Sequence, residues 1–252
     1  MTGLSAVPGI PPATIALMAL MTFVAAGIRG LTGFGMAIVL VPLLGMVVRP
    51  EEGVVLAILL QFLIGPVGIK TIASDCEKPS SPVMALCAML TTPLGLWLLA
   101  RTNPDVARIL IAAVATGAFL LLIWPNRSER TPGWPVTLAA GISAGVLTGF
   151  AGMPGPPVVP YYLRPGVAPI VARASMMLVF FATAIAGTLV AFLLGLATGK
   201  LVIVAFVLLV PMLVGNWLGA KAFGKVPPAL WRGAAALLLG VAGLSAVWRA
   251  VN

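Results

Sequence analysis

The sequence predicts an all-α polytopic membrane protein made of two inverted repeats, each a re-entrant broken-helix hairpin followed by three transmembrane helices. Three observations lead there: the apolar composition, a motif that occurs twice, and the placement of the basic residues. The chain has 252 residues, 61% hydrophobic and 8% charged, with a mean hydropathy of +1.14. A soluble domain carries roughly 25% charged residues, and one this apolar lacks the polar surface to cover itself. Charge-free runs occupy 30–48, 53–69, 79–100, 109–126, 131–163, 174–199, 201–220 and 233–248. Most reach the roughly 17–25 residues that cross the hydrocarbon core as a helix.

The duplication defines the halves. Leu31-Thr32-Gly33-Phe34-Gly35-Met36 matches Leu147-Thr148-Gly149-Phe150-Ala151-Gly152-Met153 with one residue inserted, and Pro42 then corresponds to Pro160. Gly95-Leu96-Trp97 followed by Arg101 matches Gly215-Asn216-Trp217 followed by Lys221. Arg108 and Arg232 each follow a proline-marked helix start, at Pro104 and at Pro227-Pro228. The consistent order gives a first repeat over 13–126 and a second over 132–251.

The first repeat opens with 13–48, too long for one crossing at 1.5 Å per residue, in pieces short for two. This reads as a hairpin that dips into the membrane and returns, followed by spans at about 53–70, 82–101 and 105–124. The second repeat opens with 135–163, broken between Phe150 and Pro154, and continues with spans at about 172–195, 201–221 and 228–248. Three net crossings per half invert the second half relative to the first, a recurrent transporter plan.

Charge supports the hairpins. With them, Lys70, Lys78, Arg127, Arg130, Arg164, Arg173, Lys221, Lys225 and Arg232 share one side, against Arg49, Arg101, Arg108, Lys200 and Arg249 on the other. Nine against five obeys the positive-inside rule better than the eight against six of single crossings, and it puts both termini outside the cytoplasm. Trp97, Trp217 and Trp231 near span ends fit an interfacial belt.

The stretch "GIRGLTGFGM" (27–36) places glycines and an arginine where hydropathy expects mid-membrane helix. Non-helical backbone at that depth is tolerated only where protein buries it or a watery cavity adjoins it. Gly27, Gly30, Gly33 and Gly35 let the chain turn and approach other backbone. The turn exposes the N-terminus of the next half-helix, a ready anion site, to which Arg29 adds a full charge and a forked donor array. In the second half "GFAGMPGPPVV" breaks the chain again at Gly152, Gly155, Pro156 and Pro157. Two breaks facing each other would form one electropositive pocket near the bilayer centre. Packing alone also uses glycines, but does not explain why both halves break at the same place; the competing role for Arg29 is snorkelling to the interface.

The candidate anion-binding residues are therefore Arg29, Gly30, Thr32, Gly33, Phe34 and Gly35 from the first motif, with Thr148, Gly149, Gly152, Met153, Gly155, Pro156 and Pro157 from the second. Arg173 reads either as a positive-inside anchor or as a ligand. Gln61 and Asn216, amides within spans, suit interhelical hydrogen bonds and substrate contacts equally.

Other classes find little support. The net charge of +9 sits almost wholly in the gaps between apolar runs, with no nucleic-acid motif, so lipid and not nucleic acid is the expected partner. The first 28 residues lack Lys and Arg, so no cleaved signal peptide is expected. Cys76 and Cys87, with no CxxC and no histidine, predict no metal, cofactor or disulfide. No Ser/His/Asp set or in-membrane carboxylate pair suggests an enzyme. The acidic residues Glu51, Glu52, Asp75, Glu77, Asp105 and Glu129 lie in or beside the gaps, leaving no evident proton carrier in a span. Export of an anion down the membrane potential fits that economy, at about 2.3 kcal/mol per charge per 100 mV. An anion channel or an importer of an organic anion is the competing reading, and a homodimer is an expectation by analogy with transporters of this plan.

"GIRGLTGFGMAIVLVPLL" and "GVLTGFAGMPGPPVVPYYL", each opening a half, resemble the TauE/SafE family of bacterial membrane anion exporters over nearly the whole chain. The resemblance implies a permease for sulfite, sulfoacetate or a related organosulfonate in the bacterial inner membrane. Gly33-Phe34-Gly35-Met36 departs from the longer glycine run of many relatives.

Overall fold

A computed structural model describes residues 10–67, 69–123 and 132–222. The span expected at 228–248, Trp231, and the basic residues of 127–130 and beyond 222 lie outside them. The described residues are helical: α1 (Pro12–Thr32), α2 (Met36–Leu44), α3 (Pro50–Ile64), α4 (Ile69–Asp75), α5 (Ser80–Arg101), α6 (Pro104–Ile123), α7 (Trp134–Ala151), α8 (Gly155–Tyr162), α9 (Pro169–Leu193) and α10 (Gly199–Ala222). Prolines in the first turn start α1, α3, α7, α8 and α9, where the missing N–H would lack an intrahelical partner anyway.

By length and composition α1, α5, α7, α9 and α10 are fit to cross a membrane. Leu90, Leu189, Leu193, Phe206 and Val210 point outward on them, as residues facing hydrocarbon do. By contrast α2 is buried at every residue, and α3 is buried without interruption from Gly53 to Gln61. Helices apolar on all sides belong inside a bundle, so α2 and α3 form its centre.

Each opening stretch is one long helix followed by one short helix, not two short pieces. The break comes after Thr32 and after Ala151. Gly33 (φ +85°) and Gly35 (φ +90°) take left-handed conformations that side chains disfavour, with the Gly33 N–H donating to the Arg29 carbonyl at 2.6 Å. At the second break Gly152 (φ +69°) caps α7. Its N–H reaches the Thr148 carbonyl at 2.7 Å, and the Met153 N–H reaches that of Leu147 at 3.2 Å, closing the helix in a Schellman-like turn.

Gly27 and Gly30 do not turn the chain. They stay inside α1, and a Cβ on Gly30 would run into the backbone of Asn216 and Ala220 on α10. On the other side, one on Gly149 of α7 would overlap the backbone of Thr92, Gly95 and Leu96 on α5. α1 with α10 and α5 with α7 are the two most extensive helix pairs, and both rest on backbone approach across small residues. The span expected at 53–70 ends early: α3 stops at Ile64, before Gly65-Pro66, and at 15 residues it rises about 22 Å.

Trp97 and Trp217 stand exposed with Arg101 and Lys221 over their rings, at 4.2 and 3.6 Å from the centroids. The two cation–π pairs occupy corresponding places on α5 and α10.

Candidate functional site

The two breaks meet at a small, partly open cavity of about 30 Å³, room for about two waters. Arg29, Phe34, Gly35, Gln61, Met153 and Gly155 line it, so both motifs contribute, as does α3.

Among the described residues Arg29 is the one charged side chain in the lining. Its Nη1 donates to Asn216 Oδ1 at 2.9 Å, so Asn216 orients the guanidinium from α10 and leaves the rest of its donor fork uncommitted to that bond. Among the described residues the ion pairs are Arg49–Glu51, Arg108–Asp105 and Arg164–Glu77; none involves Arg29. Arg173 does not line the cavity. Its side chain instead crosses the first turn, its Cγ 2.7 Å from where a Gly33 Cβ would lie, near enough for its charge to act on Arg29. The structure thus gathers two cations at one break.

The turn between α1 and α2 is held by Thr32, whose Oγ1 accepts from the Phe34 N–H at 3.2 Å and lies 2.8 Å from the Ile28 carbonyl, to which it donates. Beyond it the first three residues of α2, Met36, Ala37 and Ile38, all line the cavity, and N–H groups at these positions have no partner within the helix. The second break differs: of the first three residues of α8, Pro156 and Pro157 carry no N–H, leaving Gly155. Polar donors therefore concentrate at the first break.

Other predicted residues serve the frame. Thr148 is buried and donates to the Ala144 carbonyl at 2.7 Å. Gly30 and Gly149 are helix contacts, as described above. Gly152 presents its carbonyl to Gln61 Nε2 at 3.1 Å, and the same amide nitrogen donates to the Ala57 carbonyl at 3.2 Å. Gln61 thereby ties α3 to the second break and spends both N–H donors doing so. Pro156 borders a smaller cavity of about 10 Å³ with Phe34 and Ile38, and Pro157 lies in the first turn of α8.

Sequence reasoning missed Met36, Ala37, Ile38, Ile64, Gly65, Pro154, Met177, Phe180 and Phe181, which complete the lining. Gly65 beside Pro66, and the Phe180-Phe181 pair in mid-span, were the available signals. Phe181 packs edge-on into the space above Gly65, where a Cβ would strike its ring, and stacks on Phe62 with centroids 6.4 Å apart.

The chain leaving α8 is fastened by polar groups. Arg164, 7% exposed, donates from Nη2 to Glu77 Oε1 at 2.7 Å and from Nη1 to the Tyr161 carbonyl at 2.8 Å. The Glu77 N–H donates to Ser175 Oγ at 2.8 Å, and the Tyr161 hydroxyl lies 2.8 Å from Thr137 Oγ1. Glu77, by sequence one of the loop acids, is in fact clamped between α8 and α9, with its Oε2 buried and unpartnered. Ser175 stands two residues before Met177, so this clasp adjoins the cavity wall.

The family model described as "Sulfite exporter TauE/SafE" matches residues 18–246. Neither a curated protein nor a solved structure gives a significant match.

Proposed function

Since the chain belongs to the sulfite exporter TauE/SafE family and has helices fit to cross a bilayer, it is a multi-pass membrane transport protein. We propose that it exports a small sulfur-containing anion, such as sulfite, sulfoacetate or another organosulfonate, across the bacterial inner membrane. The anion binds between the two breaks, where Arg29 and the N-terminus of α2 supply positive potential.

The observation that carries this reading is Arg29 itself. It lines the cavity where the two breaks meet, is aimed by Asn216, and has no carboxylate partner among the described residues. A guanidinium kept at this depth without a counter-ion is supplied for a transient one. Sulfite has four heavy atoms and exceeds two waters, so loading requires the wall to move.

The architecture we infer is two inverted repeats, 13–126 and 132–251, with α1–α2 and α7–α8 as re-entrant pieces and both termini on the non-cytoplasmic side. Crossed pairing supports it: α1 packs on α10 and α7 on α5, as a two-fold axis between halves would produce. One half moving against the other around the fixed site would then give alternating access, in a homodimer or singly. No titratable group other than Arg29 lines the cavity among the described residues. We therefore assign the driving force to membrane potential, and a pH gradient imposed at fixed voltage is expected to leave the flux unchanged.

The test is sulfite and sulfoacetate flux into voltage-clamped proteoliposomes, with the native chain and Arg29→Gln. Saturable, voltage-driven flux that collapses in the variant supports an anion transporter sited at the first break. Unsaturable flux with unitary currents would make it a channel. Absence of flux of either anion from folded protein would remove this substrate class.

A further inference from the structure

Exposure around the cavity is uneven. The walls from the second break (Met153, Pro154, Gly155) and from the end of α3 (Gln61, Ile64, Gly65) are buried. Arg29 and Gly35 at the first break, and Phe180 and Phe181 on α9, are only half-buried. The cavity therefore opens between the first break and α9.

Arg173 stands at that opening. Along α9, Arg173, Met177 and Phe181 are spaced i, i+4 and i+8, so they share one face, and the latter two line the cavity. Arg173 lies about 6 Å nearer the start of the helix than Met177. Its half-buried side chain runs across the first turn, with Cγ, Cδ and Nε 2.7, 3.1 and 3.4 Å from where a Gly33 Cβ would lie. An arginine that only anchored the helix would extend toward the interface, not over a helix break. Gly33 thus has two duties: it takes the left-handed turn (φ +85°) and leaves a bare surface on which Arg173 rests. About 200° round the helix, Ser175 accepts from the Glu77 N–H, which fixes the part of α9 that carries Arg173.

Resting on the anion-transport reading above, we propose that Arg173 is the access residue of the site. An oxyanion enters from the end of the bundle where α9 begins, meets Arg173 at the mouth and passes to Arg29 within. Two guanidiniums gathered at one break repel each other, and an anion between them relieves that repulsion. Charge at the mouth of a low-dielectric cleft raises local anion concentration and on-rate by about 10–10³-fold, an effect that salt weakens. Arg29 holds the anion, and Arg173 governs how readily it arrives.

The experiment uses the full chain in voltage-clamped proteoliposomes, with KM measured for sulfite and sulfoacetate. Arg173→Gln is expected to raise KM about tenfold or more and to flatten its rise with ionic strength, whereas Arg173→Lys should keep most of the native behaviour. Arg173→Cys, made in a chain carrying Cys76→Ser and Cys87→Ala, tests position. A membrane-impermeant methanethiosulfonate added at the face where α9 begins should modify it; an ammonium adduct should then restore flux and a sulfonate adduct should abolish it. Sulfoacetate alone reads these modified chains, because sulfite cleaves the mixed disulfide. The two adducts are similar in size, so a purely structural role would not separate them. Three results overturn this role and leave anion transport standing, provided that flux still depends on Arg29: equal flux with the two adducts, modification only from the opposite face, or native KM and salt dependence in Arg173→Gln. No flux of either anion from the folded native chain overturns both.

Discussion

Gly30→Ala, set beside Gly117→Ala, gives the sharpest test of how this bundle is held. Both residues lie inside helices, α1 and α6, where alanine is favoured over glycine by up to about 1 kcal/mol. At Gly117 nothing among the described residues lies within 4 Å of the new methyl, so the gain of about 0.5–1 kcal/mol should be realised. At Gly30 the methyl would overlap the Asn216 carbonyl group and stand 2.8 Å from the Ala220 nitrogen. These are backbone atoms and cannot swing aside. Forcing α1 and α10 apart by roughly 0.5–1 Å forfeits a quarter to a half of the dispersion attraction across the contact, and overpacking of this kind costs about 3 kcal/mol. Less the propensity gain, the net loss is about 2 kcal/mol. At about 2–4 °C per kcal/mol for a chain of this size, Tm should fall about 4–8 °C in Gly30→Ala and rise by about 1–4 °C in Gly117→Ala. Thermal unfolding of the purified protein in one detergent reads both. A Gly30→Ala chain melting at or above the wild type would refute backbone contact between α1 and α10.

Three further outcomes follow from the site. Asn216→Leu removes the acceptor that aims Arg29 and should raise KM for the transported anion about tenfold, with a smaller effect on kcat, because a charged hydrogen bond is worth about 1.5–3 kcal/mol. Gln61→Leu orphans the Gly152 carbonyl and should cost about 1–2 kcal/mol in unfolding measurements. Arg164→Met strands the Glu77 carboxylate, and since that group keeps some solvent contact the loss should sit near the low end of the range for broken buried pairs, about 3 kcal/mol. Adding Glu77→Gln to Arg164→Met should recover much of it, and a double-mutant cycle with no coupling would mean that the clasp does not hold.

What the residues disclosed on their own followed their chemistry. Arg29 was legible because a charge amid apolar sequence has few explanations, and the breaks were legible because glycine and proline interrupt helices in any context. The division of labour among the glycines was not. Gly27 and Gly33 look alike in sequence, yet one is helical under a neighbouring backbone and the other turns the chain, and only the position of α10 decides which. Asn216 stayed ambiguous because its partner lies 187 positions away. Phe180 and Phe181 were hidden for a different reason: a side chain facing a cavity and one facing lipid are equally apolar, so hydropathy treats them the same. Glu77 was hidden by its place in a gap between spans, where charges usually report sidedness.

The contact between Arg29 and Asn216 also sets an order of events during synthesis. At about 5–20 residues per second, the ribosome needs roughly 10–40 s after making Arg29 before Asn216 exists. For that interval α1 has no partner for its small-residue face, and its guanidinium must be tolerated by lipid, by the insertion machinery or by water at the interface, at about 2.5–3.5 kcal/mol on insertion scales. Chains stopped short of α10 would remain in that condition, so quality control that senses an unsatisfied charge in the bilayer has a specific residue to read until nearly the whole polypeptide has emerged.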